Sequence, residues 1–139
     1  MGKSYSGRYV RWRLAEGALE PYDPLGDFFI DGEDGRVEEL ETLLGACLVA
    51  LSEGVSRLQT ESRVLVDVVV EPDAFSLERM GEGMTVEYRG RVARIGSING
   101  FRADLRAAAR MLVEVLDAEA GRIGMEKPQM TELRAVAAG

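Results

Sequence analysis

Apolar and polar residues alternate from Tyr9 to Leu14, with Val10, Trp12 and Leu14 on one side and Tyr9, Arg11 and Arg13 on the other. A period of two predicts a half-buried strand. A loop punctuated by Gly17, Pro21, Pro24 and Gly26 leads into a short strand over 27–31, centred on Phe28, Phe29 and Ile30. From Arg36 to about Leu58 the apolar positions are Val37, Leu40, Leu44, Cys47, Leu48, Leu51, Val55 and Leu58. Their 3.6-residue spacing predicts one long helix with a buried stripe. Arg63 to Glu71 is a β-branched run ended by Pro72, which predicts a strand inside a sheet. Residues 72–83 read as an excursion with a helical turn at Phe75–Met80. Met84–Tyr88 and Arg91–Ile95 then form either one long strand or a hairpin bent at Arg89 and Gly90. Asn99 is placed to cap a second helix whose stripe runs through Phe101, Leu105, Ala108, Leu112, Val115 and Leu116 as far as Gly121. The tail after Pro128 is read as a closing strand over 130–136.

Ile30, Gly35, Leu40, Cys47 and Leu51 are echoed by Ile95, Gly100, Leu105, Leu112 and Leu116, an offset of 65 residues. Two β-α units that share a core follow from such an echo. The predicted class is therefore α+β: a ferredoxin-like βαββαβ sandwich with an extra N-terminal strand and both helices on one face of an antiparallel sheet. A ββαβββα two-layer sandwich is the alternative, in which the last dozen residues are disordered or helical, since Leu133–Ala138 also suits a helix. Residues 1–7 are expected to be a flexible tail and 8–139 a single α+β domain.

Composition narrows the function classes. The chain has a net charge of −7 and no histidine. Its first 14 residues carry Lys3, Arg8, Arg11 and Arg13 without an acid, so the remainder is more acidic still. Such a body repels phosphate backbones, which argues against general nucleic-acid binding and for a basic protein partner. No apolar stretch reaches the roughly 20 residues of a membrane helix, and Met1–Gly7 lacks the apolar segment of a secretory signal. A cytoplasmic location is expected. The lone Cys47 lies on the first helix's apolar stripe and reads as a small buried side chain.

The candidate sites begin with the sheet face that the helices leave uncovered. If Val64, Val66, Val68 and Val70 face the helices, then Leu65, Asp67 and Val69 face outward, and Val92 and Arg94 share that side. An Asp67–Arg94 pair across neighbouring strands is expected there. The N-terminal strand adds Arg11, Trp12 and Arg13 as partner-binding residues, because Tyr5, Tyr9, Trp12, Tyr22, Phe28 and Phe29 cluster near arginines. A weak anion site is read at Ser97, Asn99, Gly100 and Arg102, where a helix begins, with simple capping as the structural reading. The turn bearing Asp31, Glu33 and Asp34 lacks the spacing of an EF-hand. No catalytic residue, metal site or cofactor is assigned, since no histidine base, serine elbow or phosphate-binding loop occurs.

Taken together, the residues predict a non-enzymatic interaction protein that binds a basic partner through the open face and the N-terminal strand. Acidic inhibitors and immunity-type proteins are the analogy in size and charge. The alternatives are a homodimeric anion-binding protein or enzyme with a pocket at the sheet edge, and a structural subunit of a larger assembly.

Overall fold

A computed structural model describes residues 3–15, 24–68 and 73–139. Its elements run β1 (Ser4–Ser6), β2 (Val10–Leu14), β3 (Leu25–Asp31), β4 (Arg36–Leu43), α1 (Leu44–Arg57), β5 (Arg63–Asp67), β6 (Ala74–Met80), β7 (Gly83–Tyr88), β8 (Arg91–Ile95), α2 (Ile98–Arg122) and α3 (Thr131–Ala138). The α+β class holds, but the strands form two antiparallel four-stranded sheets, β1-β2-β3-β4 and β5-β6-β7-β8. This replaces the single ferredoxin-like sheet, and each sheet is followed directly by a helix. The residues expected as a loose N-terminal tail include β1, which pairs with β2 through Tyr5 opposite Trp12.

Most of the difference traces to β4. Glu39 is 4% exposed and Leu40 is 50% exposed, which inverts the polarity a strand usually shows and lets Leu40 complete a false helical stripe. The burial of Glu39 is satisfied by the Tyr88 hydroxyl, which donates to its carboxylate, and by Arg89 at 3.2 Å. A bulge follows, for Gly26 pairs with Thr42 while Phe28 pairs with Glu39. Glu41 sits in it at φ 53, its N–H held by Asp27 at 3.0 Å. Only from Leu44 onward does the periodic stripe become helix, burying Cys47, Leu48, Leu51 and Val55.

Three further segments differ from expectation. β6 replaces the helical turn, with Phe75 and Leu77 buried opposite Val66 and Val64. Met84–Tyr88 and Arg91–Ile95 form the hairpin alternative, β7-β8, turning through Arg89 and Gly90. The C-terminal segment is helix α3 and not a closing strand; it buries Leu133 and Ala137 against the helical layer. On α2 the N-cap is Ser97, whose side chain accepts from Gly100 N–H at 3.0 Å, and the helix continues past Gly121 to Arg122.

One face of each sheet meets the helices. Val10, Trp12, Leu14, Phe28, Ile30 and Val37 come from the first sheet, and Val64, Val66, Phe75, Leu77, Met84, Val86 and Ile95 from the second. These side chains join α1 and α2 in one core. The packing crosses over: α2 lies on β1 and β2, while α1 reaches β5. At that crossing Gly54 lies so close to β5 that a Cβ would overlap the Val66 side chain.

The β1–β2 corner is tied to α2 by a buried carboxylate. Asp104 accepts Tyr9 N–H at 2.7 Å, Val10 N–H at 2.6 Å and the Tyr5 hydroxyl. Burial, then that hydrogen bond, raises the Tyr5 pKa above its ordinary value, so the phenol remains a donor. Asp104→Ala should destabilise the fold by about 1–3 kcal/mol for each buried N–H left unpaired. Urea denaturation should show a lower midpoint at an unchanged slope.

Candidate functional site

The predicted partner surface separates into parts that do not form one site. Trp12 is fully buried, its indole N–H donating to the Ala108 carbonyl at 3.1 Å, so it is a core side chain and no exposed anchor. Arg11 and Arg13 lie on the outer face with their guanidinium carbons 4.3 Å and 5.9 Å from the centre of the Phe29 ring, and Arg36 covers the same ring at 5.7 Å. Each cation also has a carboxylate: Arg11 meets Asp31 at 3.3 Å, Arg13 meets Asp27 at 2.6 Å and Arg36 meets Asp31 at 2.5 Å. Three arginines thus roof a single phenylalanine, and nearby acids neutralise them.

On the second sheet the side-chain parity is as predicted where described. Val64, Val66 and Val68 are buried while Leu65 and Asp67 are exposed; Val69 and Val70 lie outside the described residues. Asp67 and Arg94, however, stand on β5 and β8, the two outer strands, with β6 and β7 between them. Asp67 is opposite Ala74 and Arg94 is opposite Thr85, so no cross-strand pair exists. Leu65 and Val92 are likewise separated by Ser76 and Glu87 along one row of the face. That row contains no continuous apolar patch.

At the start of α2, the Ser97 hydroxyl is occupied in capping Gly100, while Asn99 is exposed and Arg102 half-buried. The acidic turn before β4 has a structural task. Glu33 N–H donates to the Arg94 carbonyl and Arg94 N–H to the Asp34 carbonyl, both at 2.8 Å. The Glu33 carboxylate accepts Tyr9 O–H at 2.8 Å and Gly96 N–H at 2.5 Å. The Tyr9 bond leads in holding the Glu33 pKa below its ordinary value, against a smaller desolvation effect.

The structure also shows a cleft that the linear pattern concealed. It has a volume of about 600 Å³ and lies between α1, the end of β5 and α3. Its floor is made of small and apolar residues, Gly45, Ala46, Val49 and Ala50 on α1, Val68 beyond β5, and Met130 and Leu133 from the C-terminal segment. Glu53, Asp67 and Glu132 stand among them, and among the described residues no lysine or arginine lines the cleft. None of these three carboxylates has an ion-pair or hydrogen-bond partner among the described residues. Among the described residues, Asp67 is the predicted site residue that reaches this cleft. Glu53 and Glu132 were missed because the site arises only when the C-terminal segment folds back as a helix over α1.

Two depressions of about 260 Å³ also mark the described surface. One lies where β4 meets the β7-β8 hairpin, lined by Glu38, Glu39, Leu40, Tyr88, Arg89 and Arg91. The other includes Glu33, Glu82 and Arg94. Among the described residues no group of three or more histidine, cysteine, aspartate or glutamate side chains could hold a metal ion. No helix among them is long and apolar enough to cross a membrane. Comparison of the chain with protein families, curated proteins and solved structures finds no match.

The cleft depends on α3 staying docked. Arg134 on α3 donates to both Asp117 oxygens on α2, at 2.6 Å and 3.0 Å, and also to the Pro128 and Gln129 carbonyls. The Arg134 hydrogen bonds hold the Asp117 pKa below the usual carboxylate value, against partial desolvation. A depressed folded-state pKa contributes stability above the unfolded value of about 4, lost as pH falls through the folded value. Asp117→Asn should therefore lower Tm at pH 7, and the difference from the unaltered chain should vanish toward pH 2–3 in thermal scans.

Proposed function

We propose that this chain is a non-enzymatic interaction protein for a basic macromolecular partner, of the inhibitor or immunity type. One observation carries the reading: eight of the fifteen arginines are paired with carboxylates of the fold, yet Glu53, Asp67 and Glu132 gather around an apolar cleft with no cation beside them. Arg8 is paired with Glu33, Arg57 with Glu61, Arg89 with Glu39 and Asp73, Arg122 with Glu119 and Arg134 with Asp117, in addition to the three around Phe29. The net charge is −7, and among the described residues Glu53, Asp67 and Glu132 are exposed acids without an internal cation. A field of that sign steers basic partners into encounter and repels nucleic acids.

Internal pairing also supports a role for the N-terminal arginines different from the one their sequence suggests. They hold the first sheet's outer face together and compete poorly for an acidic target. The tagged full chain should retain from lysate a stoichiometric partner with a pI above about 9, released as salt screens charges beyond the ~10 Å Debye length of 0.1 M solution. A predominant partner that is acidic, or one held equally at low and high salt, would remove the basic-partner reading.

A further inference from the structure

We infer that the cleft between α1, β5 and α3 is the seat of a cationic segment of a protein partner, with an apolar side chain of that segment inserted among the small residues of α1. The inference rests on the basic-partner reading and gives it a place. The opening of about 600 Å³ is large beside the roughly 30 Å³ share of one water molecule, and its floor is apolar. An occupant that only neutralised charge would leave that floor wet.

The three carboxylates define the occupant's charge. Glu53, Asp67 and Glu132 come from α1, β5 and α3, and no cation among the described residues lines the cleft. They are not grouped closely enough to hold one metal ion, so separate cations must answer them. A segment with several lysines or arginines around an apolar residue meets that requirement. A second copy of this chain supplies it poorly, because at a net charge of −7 two copies repel each other overall. The apolar contact adds directionality that charge alone lacks: the anchor must enter beside Ala50 while its flanking cations reach the rim.

The test titrates the full chain into a fluorescein-labelled synthetic peptide of leucine and lysine, read by fluorescence anisotropy. A peptide with every lysine replaced by glutamate serves as control. Glu53→Gln, Asp67→Asn and Glu132→Gln combined should weaken binding by about tenfold or more, the sum expected of three partly exposed pairs. Ala50→Phe should weaken it comparably by filling the floor with every carboxylate kept. Circular dichroism and Tm establish that both variants are folded; if Ala50→Phe fails to fold, Ala50→Leu takes its place. Binding by both variants as tight as that of the unaltered chain overturns the cleft as the seat and leaves the basic-partner reading to the lysate capture. Loss with the charge variant alone overturns the inserted anchor. No binding by the unaltered chain at low salt overturns the inference outright. Sedimentation showing that the cleft variants abolish self-association would assign the cleft to a second copy instead.

Discussion

The two sheets are joined through a narrow contact, and the shared core depends on it. One isolated bridge, Asp34 to Arg94, connects the turn before β4 to β8. The turn approaches so closely that at Gly35, φ 82, a Cβ would overlap the Val92 carbonyl. Glu33 strengthens the joint by accepting from Tyr9 in the first sheet and from Gly96 beyond the second. Because α2 crosses onto β1 and β2 while α1 reaches β5, a parting of the sheets here would also open the helical layer. The acidic turn before β4 is thus the fastening of the fold.

Legibility in the sequence followed how ordinary each element's burial is. β2 could be read because polar and apolar residues alternate in step with exposure, β5 because it is a β-branched run, and α2 because its buried residues recur at helical spacing over many turns. β4 could not, since a buried glutamate and an exposed leucine exchange the usual places, and a bulge interrupts the alternation. β6 was obscured by its exposed second half, Glu78, Arg79 and Met80. The 65-residue echo was a coincidence of apolar positions: Leu40 belongs to a strand and its counterpart Leu105 to a helix. The repetition that exists is of element order, four strands and a helix, with α1 starting at Leu44 and α2 at Ile98.

Candidate chemistry was harder to read than shape, for a related reason. Residues close in sequence, such as Arg11, Trp12 and Arg13, are dealt to opposite faces of a strand, one into the core and two onto the surface. Asp67 was conspicuous as a charge in an apolar run, but its supposed partner Arg94 required two strands to be neighbours that the sheet order separates. Glu53 and Glu132 carry no local signal at all. They become neighbours of Asp67 through the turn after α2 and the Arg134–Asp117 pair that pins α3.

A buried ion pair and an unpaired surface acid are opposite uses of the same side chains. Glu39 is tolerated in the interior because Tyr88 and Arg89 answer it, and breaking that arrangement would leave a charge in a low-dielectric setting. Glu53, Asp67 and Glu132 contribute little to folding, since each keeps its contact with water and attracts nothing within the described chain. No described arginine or lysine stands beside these three acids, so the attraction they exert is directed at cations from outside. Apolar surface at the same place converts a diffuse attraction into a defined geometry, because burial is short-ranged while charge is felt over about 10 Å at 0.1 M salt. The cleft is where the described structure brings these two properties together.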